Sequence, residues 1–457
     1  MLRFSGSLLR YPARAAFAWY AGMIAVGTLL MRLPLAVVEG ATPLTTVDAL
    51  FTSASAACVT GLTVRSTGNE FSGFGQAVVL ALIQVGGIGI MTVTTFVVLR
   101  LGGRESLRHK EIVRHTLGGA GRDLRRTLWQ ILRMVLACEA AGCALLVAWG
   151  CREGLSTWSV WESCFHAISA FCNAGFSLRD ASLAADRAHV AVNLTIMGLI
   201  VLGGLGFPVI RELAEALRDA FRGRRTRLSA HCRLMLVGTF VLLAGGTLAV
   251  LVLEWNNALR GMPLIEKLLV AAFQSTTTRT AGFETVPMAS LTNATLFVFM
   301  VLMLVGGGPC STAGGFKVST LSVLGCHAWS KFRGRRRPTV FHRAIADATV
   351  DGATATLLLF ALVAAVGLTG LLFVEQADAP HHAPENVFLD AAFEVCSALG
   401  TVGLSTGITP GLAPAAKLIL VGLMFLGRLG PLSVFAAVAR VEASDRLGYP
   451  TAEILVG

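Results

Sequence analysis

Ser55-Ala-Ala-Cys-Val-Thr-Gly61-Leu62 is one of four short stretches of this chain that follow a single pattern. Each has a hydroxyl residue six positions before a glycine, a small residue directly before that glycine, and Leu or Phe directly after it. The other three are Ser169-Ala-Phe-Cys-Asn-Ala-Gly175-Phe176, Thr276-Thr-Thr-Arg-Thr-Ala-Gly282-Phe283 and Ser397-Ala-Leu-Gly-Thr-Val-Gly403-Leu404. Four similar glycine loops from one chain can surround a single ion, so this repeat predicts a cation pore.

The composition places most of the 457 residues in a lipid bilayer. Hydrophobic residues make up 54% of the chain and charged residues 14%, whereas a soluble domain carries about 25% charged residues. The net charge of +11 is concentrated between apolar stretches, with eight, seven and six Lys/Arg at residues 100–126, 211–233 and 331–343. The segments on the opposite side hold few, so the basic loops are predicted to face the cytoplasm. A basic face that also docks a protein or acidic lipids is compatible with this, whereas nucleic acid is not expected as a partner.

Eight apolar stretches reach the length of about 20 residues that a helix needs to cross a bilayer. They are 14–33, 75–99, 128–150, 189–210, 233–255, 294–328, 349–374 and 413–439. Four shorter apolar segments lie between them, at 44–60, 160–174, 265–281 and 388–402. Each fits a half-helix that enters the membrane and returns as an extended strand, which is tolerated only where the backbone is buried in protein or lines a wet cavity.

The predicted fold is therefore an all-α membrane protein with four pseudo-repeats of helix, re-entrant pore helix and helix around one central pore. The predicted location is the cell (inner) membrane, with the basic loops and both termini in the cytoplasm. The repeats occupy residues 14–100, 126–218, 230–329 and 345–440, and cytoplasmic loops at 101–125, 219–229 and 330–344 join them.

An acidic residue lies thirteen positions before three of the four glycines: Asp48, Glu162 and Asp390. The third repeat departs, with Leu269 in that position and Glu266 three residues earlier. An acid at the start of a half-helix is stabilised by the positive end of the helix dipole, and it also attracts cations to the outer mouth. The sequence leaves both roles open.

A dehydrated potassium ion needs replacement oxygens, which extended backbone supplies when several carbonyls point inward. Glycine allows the dihedral angles that this requires, and the half-helix before each loop points its negative end at the same place. The ion site is therefore assigned to backbone carbonyls of twelve residues: Val59, Thr60, Gly61, Asn173, Ala174, Gly175, Thr280, Ala281, Gly282, Thr401, Val402 and Gly403. Arg279, within the third loop, is expected to brace that loop from behind.

The second span of the third repeat contains the most unusual sequence of the chain, Val305-Gly-Gly-Gly-Pro-Cys-Ser-Thr-Ala-Gly-Gly-Phe-Lys317. Five glycines and a proline within eleven residues do not form a stable helix interior. The freed backbone groups need water or polar partners, so this segment is predicted to line the pore. The other second spans carry glycine runs that begin at Gly86, Gly203 and Gly427, which let neighbouring backbones approach closely.

The chain resembles the pore-forming subunit of the Trk/Ktr/HKT potassium transporter superfamily, and within it the bacterial Ktr type. The likeness covers about residues 14–440 and rests on the four glycine stretches, the interrupted segment and Gly427-Arg-Leu-Gly-Pro431. The Trk type has two extra N-terminal helices, whereas this chain begins almost directly with the first repeat.

The resemblance implies a gate beneath the ion site. The matching intramembrane loop of the family blocks the pore, and the arginine that matches Arg428 acts there as an electrostatic barrier. A structural hydrogen bond from Arg428 to loop carbonyls is the alternative, and Lys317 either has a closed-state role or extends towards the interface. The implied gate residues are Gly306, Gly307, Gly308, Pro309, Cys310, Ser311, Thr312, Ala313, Gly314, Gly315, Lys317 and Arg428.

The resemblance also implies a homodimer and a cytosolic regulatory subunit with a dinucleotide-binding fold. No cofactor and no enzymatic activity are expected on this chain, because no phosphate-binding loop and no metal-binding motif occurs in the sequence. Potassium enters as substrate. A weakly selective Na⁺/K⁺ transporter of the same architecture is the main alternative. In HKT relatives, serine at the position of Gly61 accompanies a preference for sodium, so glycine here favours potassium by analogy. An alternating-access carrier would need two inverted halves, whereas these four repeats enter from the same side.

Overall fold

The protein is built almost entirely of helices. The computed structural model describes residues 12–101, 124–152, 158–224, 227–335, 337–341, 343–376 and 387–430. The helices in these ranges are α1 (Pro12–Met31), α2 (Thr46–Ala57), α3 (Gly73–Leu101), α4 (Leu124–Arg152), α5 (Val160–Cys172), α6 (Val190–Leu205), α7 (Phe207–Phe221), α8 (Ala230–Leu253), α9 (Leu264–Thr277), α10 (Asn293–Leu304), α11 (Val318–Phe332), α12 (Asp347–Gln376), α13 (Val387–Gly400) and α14 (Pro414–Leu429). One small antiparallel hairpin, β1 (Thr339–Val340) and β2 (Arg343–Ala344), lies in the predicted third loop. The prediction of a helical membrane protein is confirmed.

Five of the described helices are long and apolar enough to cross a membrane, and the bent pair α6–α7 makes a sixth candidate. The predicted span at 294–328 is divided, since α10 ends at Leu304 and α11 begins at Val318. The last predicted span begins as α14, but its end beyond residue 430 lies outside the described residues. So do both chain ends and most of the predicted loop 101–125.

The predicted span at 189–210 is not one continuous helix. Helix α6 ends at Leu205, and α7 leaves it at an angle of 108°. The reason is Gly206, whose φ of 90° lies in a region that glycine adopts at little cost. Pro208 follows in the first turn of α7, where its missing N–H is not needed by the helix.

Four short helices, α2, α5, α9 and α13, each precede one of the glycine stretches. They contain only 12 to 14 residues and are buried over most of their length. Thr45 caps α2 by accepting a hydrogen bond from the Asp48 amide, and Ser159 caps α5 in the same way through the Glu162 amide. Such caps satisfy backbone donors at a helix start, so α2 and α5 begin where the sequence places a hydroxyl residue three positions before an acid.

The short helices pack in a closed circle. We call each set of a long helix, the short helix after it and the helix that follows a triplet: α1–α3, α4–α6, α8–α10 and α12–α14. Each short helix contacts the long helix before it. Each also contacts the last helix of the neighbouring triplet: α5 touches α3, α9 touches α6, α13 touches α10, and α2 touches α14. The contact between α2 and α14 joins the beginning of the described chain to its end. This arrangement brings the C-terminal ends of all four short helices towards one central region.

Candidate functional site

The glycines of the four stretches meet at the centre of this circle. We call Gly61, Gly175, Gly282 and Gly403 the glycine ring. All four have positive φ values, between 70° and 97°. A side chain added to any of them would collide with the next stretch: its Cβ would lie 2.4 Å from Ala174 O at Gly61, 2.9 Å from Ala281 O at Gly175, 2.5 Å from Val402 O at Gly282 and 2.2 Å from Thr60 O at Gly403.

These contacts bring four backbone carbonyl oxygens to the ring. Each belongs to the residue directly before a ring glycine, and each lies beside the glycine of a neighbouring stretch. The residue before each of them is also in the left-handed region, with φ between 51° and 70° at Val59, Asn173, Thr280 and Thr401. That region is unfavourable for β-branched residues, so the surrounding packing must hold the conformation. All twelve residues assigned to the ion site therefore lie in the four segments that form the ring.

The hydroxyl residue six positions before the glycine has two different roles. In the first and fourth stretches, Ser55 and Ser397 each accept a hydrogen bond from the ring glycine amide, both at 3.1 Å. In the second stretch, Ser169 donates to the carbonyl of Phe176 at 2.8 Å. The glycine φ follows the same division: 97° and 92° in the first and fourth stretches, and 70° and 76° in the second and third. The ring therefore consists of two pairs of similar segments.

The third stretch does not use the residue that the pattern predicts. Thr276 donates to Ala272 within its own helix, and Thr277, five positions before Gly282, donates to the Phe283 carbonyl. The third segment is thus one residue shorter between the helix and the ring. The sequence carried a signal of this, because Phe273 lies nine residues before its glycine and the corresponding phenylalanines lie ten before theirs.

A cavity of about 410 Å³ lies on one side of the ring, the side on which the chain continues after each ring glycine. Its wall includes the ring glycines and the residues two positions after them: Thr63, Ser177, Glu284 and Ser405. Arg65 and Glu70 form an ion pair at 3.3 Å in this wall, and Asp180 accepts from Asn69 at 2.6 Å. Burial raises the pKa of Glu284 to about 7, and a hydrogen bond from the Met288 amide opposes part of that shift.

Three acids at the starts of short helices are paired with cations. Asp48 contacts Lys417 at 2.9 Å, which joins the first triplet to the fourth. Glu162 pairs with Arg179, and Glu266 pairs with Arg187 at 3.0 Å. Paired carboxylates attract external cations less strongly, so this geometry favours the stabilising role over an attracting one.

The interrupted segment, residues 305–317, forms a compact loop whose two legs lie side by side. The Gly306 amide donates to Phe316 O at 2.8 Å, and the Phe316 amide donates to Leu304 O at 3.0 Å. The tip binds the end of α6, through hydrogen bonds from Gly308 N to Gly204 O at 2.7 Å and from Thr312 N to Gly203 O at 3.2 Å. These bonds supply polar partners for the backbone groups that a continuous helix would have satisfied.

The same segment lies directly against the short helices and the ring segments. A Cβ on Gly314 would lie 1.9 Å from Thr401 Oγ1. The Thr312 hydroxyl donates to Phe171 O at 3.0 Å, four residues before Gly175. The Cys310 carbonyl accepts from the Phe207 amide at 3.1 Å, so the loop is also tied to the first turn of α7.

Three cationic side chains hold this loop. Arg428, only 3% exposed, donates to Thr312 O and, at 3.2 Å, to Gly86 O. Arg279 donates to Gly306 O at 2.8 Å, which places it behind the third ring segment. Lys317 turns back onto its own loop and donates to Ala313 O at 2.6 Å and to Gly314 O at 3.3 Å. The structural hydrogen bond considered for Arg428 is therefore present.

The glycine runs of the other second spans lie against the carbonyl ends of the short helices. A Cβ would lie 2.1 Å from Ala57 O at Gly86, 1.9 Å from Phe171 O at Gly203 and 2.0 Å from Leu399 O at Gly427. Each of these carbonyls belongs to the residue four positions before a ring glycine. The third triplet lacks this contact, because Gly306 instead lies against Gly314 O. The close approach expected from the glycine runs is observed.

One contributor to this region was not found from the sequence. The Tyr20 hydroxyl donates to Gly86 O at 2.7 Å, the same carbonyl that accepts from Arg428. The chain contains only three tyrosines. A tyrosine hydroxyl buried within an apolar helix needs a hydrogen-bond partner, so the presence of Tyr20 in an apolar stretch was the feature of the sequence that could have indicated this contact. Among the described residues, no group of three or more His, Cys, Asp or Glu side chains is placed to hold a metal ion.

Comparison with known proteins identifies the family. Residues 23–447 match the TrkH family, described as a cation transport protein. The chain is 37% identical to the Ktr system potassium uptake protein B of Bacillus subtilis, over 95% of this chain and 94% of that protein. It is 33% identical to the potassium/sodium uptake protein NtpJ of Enterococcus hirae, over 90% of each.

A solved structure shows the same fold. The crystal structure of the potassium transporter TrkH from Vibrio parahaemolyticus superposes with a TM-score of 0.73 at 19% identity, covering 96% of this chain and 86% of that one. The resemblance to the Trk/Ktr/HKT superfamily is confirmed, and this is a family of transporters rather than of enzymes. The chain belongs to the TrkH family of cation transport proteins.

Proposed function

We propose that this protein takes up potassium across the cell membrane through a pore whose selectivity filter is the glycine ring and its flanking carbonyls. The observation that carries the proposal is the placement of the Thr60, Ala174, Ala281 and Val402 carbonyls, each beside a neighbouring ring glycine. Four such oxygens replace part of the hydration shell of a cation. Two relatives in the family have potassium in their names, which supports this choice of ion.

The four short helices add a second favourable term for a cation. Their C-terminal ends carry partial negative charge, and all four point towards the ring. The side chains of the twelve residues assigned to the ion site are all neutral. The neighbouring Arg279 is charged, but it donates to Gly306 O. A cation in the ring would therefore meet carbonyl oxygens and helix ends rather than a fixed positive charge.

The interrupted segment is the proposed gate, together with Arg428. In this structure Gly314 lies against Thr401 of the fourth ring segment, and Arg428 holds the loop through Thr312. Conduction would require the loop to leave this position and exchange its hydrogen bonds for contacts with water. The positive charge of Arg428 adds an electrostatic barrier for as long as the side chain stays close to the path.

The assembly proposed for this chain is a homodimer with a cytosolic regulatory subunit that has a dinucleotide-binding fold. The support is the resemblance to the Ktr type and the basic segments that would face such a subunit. Helix α7 offers a physical route for regulation, because its first amide is bonded to the Cys310 carbonyl of the gate. A partner that moved α7 would therefore displace the loop.

The second candidate is a transporter that carries sodium as well. The observation in its favour is the identity of 33% with a relative named for potassium and sodium uptake. The glycine ring alone does not distinguish the two, because both ions are coordinated by oxygen. An alternating-access carrier is less favoured, since the short helices close into one circle around one centre.

The test is cation flux into proteoliposomes of the purified protein, with potassium and sodium measured separately. Gly282→Ala is expected to lower potassium flux by at least about tenfold, because its Cβ would lie 2.5 Å from Val402 O. Gly261→Ala is the matched control, since that glycine has a similar φ of 78° but open space around it. Equal flux of both ions in the native protein would favour the second candidate.

If the native protein shows no flux, the explanation is either a closed gate or the absence of a pore, and these two have to be distinguished. Shortening the interrupted segment removes the proposed block while leaving the ring in place. Flux that appears only in the shortened protein would support the gate, and no flux in either protein would contradict the proposed pore.

A further inference from the structure

We propose that buried polar side chains on the short helices, with Glu394 and His166 as the principal ones, act as positioning residues that hold the outgoing ring segments in the geometry that selects potassium. The inference rests on the proposed filter. It assigns a role to three residues outside the ion site and the gate, which we call the bracing residues: His166, Gln274 and Glu394.

Glu394 links helix α13 to the segment that leaves the ring. It lies nine residues before Gly403 and is fully buried. Its carboxylate accepts hydrogen bonds from the Ser405 hydroxyl and, at 2.9 Å, from the Thr409 hydroxyl. Ser405 and Thr409 are themselves 3.0 Å apart. A buried carboxylate with two hydroxyl donors is expensive to disturb, so it fixes the position of Ser405, two residues beyond the ring glycine.

His166 occupies the corresponding place in the second triplet. It lies nine residues before Gly175, is fully buried, and contacts the Ser177 hydroxyl at 3.0 Å through Nε2. Its Nδ1 lies 2.8 Å from Glu162 O. A carbonyl only accepts hydrogen bonds, so Nδ1 carries the proton and Nε2 accepts from Ser177. Ser177 is again two residues beyond the ring glycine, so two different side chains make the same connection.

The third triplet has a related but longer connection. Gln274 lies eight residues before Gly282, consistent with the shorter third segment, and donates to Val286 O at 2.9 Å. In the first triplet the corresponding residue is Thr52, whose side chain is too short to reach across. The Thr52 hydroxyl has no hydrogen-bond partner among the described residues. Three of the four segments are therefore braced, each by a different type of side chain.

These braces act beyond the part of each segment that is already held. The bonds described above, such as those from Gly61 N to Ser55 and from Ser169 to Phe176 O, hold each segment only as far as the ring glycine or the residue after it. The bracing residues hold positions two to four residues beyond the glycine. Carbonyl coordination discriminates between ions of different size only if the oxygens keep their number and spacing. Removing a brace is therefore expected to change ion selection more than it changes whether the pore conducts.

A purely structural role is the competing explanation, and the chain offers a control for it. Glu254 is also a fully buried carboxylate, and it accepts hydroxyl hydrogen bonds from Thr292 at 2.8 Å and from Thr295. It joins the end of α8 to the start of α10 and touches no ring segment. Glu254 and Glu394 are thus both buried and both accept from two hydroxyls, and they differ in what they hold. Glu254 also accepts from the Asn257 side chain and from the Thr292 and Ala258 amides, so its loss should destabilise the fold at least as much as the loss of Glu394.

The experiment compares Glu394→Ala with Glu254→Ala in the proteoliposome assay, with the ratio of potassium to sodium flux as the readout. Both variants are expected to lower thermal stability, whereas only Glu394→Ala is expected to lower the ratio, by about tenfold, because it removes both hydroxyl bonds that hold the segment beyond Gly403. Glu394→Gln should restore part of the ratio, because an amide oxygen still accepts one of the two hydroxyl bonds.

Ser405→Ala gives a second route to the same answer if Glu394→Ala does not fold. It removes the hydroxyl end of the brace without leaving an unpaired buried charge, and it should lower the ratio in the same direction. An unchanged ratio in both Glu394→Ala and Ser405→Ala would overturn the proposal, as would an equal loss in Glu254→Ala. Absence of potassium flux from both the native protein and the protein with the shortened interrupted segment would instead count against the proposed function on which the inference rests.

Discussion

The glycine ring and the interrupted segment lie against each other, but they are held by different kinds of contact. The ring is closed by steric contacts between backbones, and the bonds that support it come from within each triplet, as between Ser55 and Gly61. The interrupted segment is held by partners distant in the sequence, such as Arg428 and Phe171. The backbones of the ring are packed too closely to take a different conformation, whereas the hydrogen bonds of the loop can be replaced one at a time by bonds to water.

This difference separates selection from gating in physical terms. A neutral hydrogen bond contributes about 1 kcal/mol net, because water replaces the lost partner, so a few such bonds hold the loop in a reversible state. A collision between backbone atoms has no such replacement. We therefore expect substitutions in the ring to reduce transport strongly and substitutions around the loop to increase it.

The largest effect is expected when the ring itself is broken. Gly403→Ala would place a Cβ 2.2 Å from Thr60 O, and overpacking of this kind costs about 1–3 kcal/mol. Potassium flux should fall by about tenfold to a hundredfold. Gly407→Ala is the control, since Gly407 has a similar φ of 101° but open space around it; comparable loss in both variants would attribute the effect to backbone strain rather than to the ring.

The next effect is expected at the strongest bond that holds the loop. Arg428→Gln removes a charged donor to Thr312 O, and such bonds are worth about 1.5–3 kcal/mol. Basal flux in the absence of a regulatory subunit should rise by about tenfold. Arg428→Lys keeps the charge but loses the two-pronged contact with Thr312 and Gly86, so low flux in that variant would show that the charge, and not the anchoring, is the barrier.

A smaller effect is expected when one neutral bond of the loop is removed. Thr312→Val keeps the side-chain shape and deletes the hydroxyl that donates to Phe171 O. The loss of about 1 kcal/mol should raise basal flux by about fivefold. Thr354→Val is a matched control, because that hydroxyl donates only within its own helix. Lower flux in Thr312→Val would mean that this bond supports the ring rather than the closed loop.

The smallest effect is expected in the outer cavity. With the pKa of Glu284 at about 7, its carboxylate is charged above that pH and neutral below it. Arg65, Glu70, Arg179 and Asp180 also line the cavity, so one further negative charge should change the local potential only modestly. The KM for potassium should rise about threefold as the pH falls from 8 to 6. Glu284→Gln should remove this dependence, and a dependence that persists in the variant would assign it to another group.

Much of the local structure was predictable from the residues alone. The four short helices, the position of each ring glycine and the break after Leu304 all depend on short-range properties: segment length, hydroxyl caps, and the conformations that glycine and proline permit or forbid. Those properties act within a few residues, so the sequence carries them directly. The bend at Gly206 belongs to the same class, but the apolar run continues across it and concealed it.

What the sequence by itself determined is therefore which segments turn, stop and expose carbonyls. Only the tertiary structure decided which groups meet: that the third segment uses Thr277, that Arg428 binds Thr312, and that Glu394 and His166 reach the segments beyond the ring. Arg428 and Thr312 are 116 positions apart, and no periodicity links such residues. Their contact exists because four triplets close into one circle, and that closure depends on packing between helices rather than on any local preference of the chain.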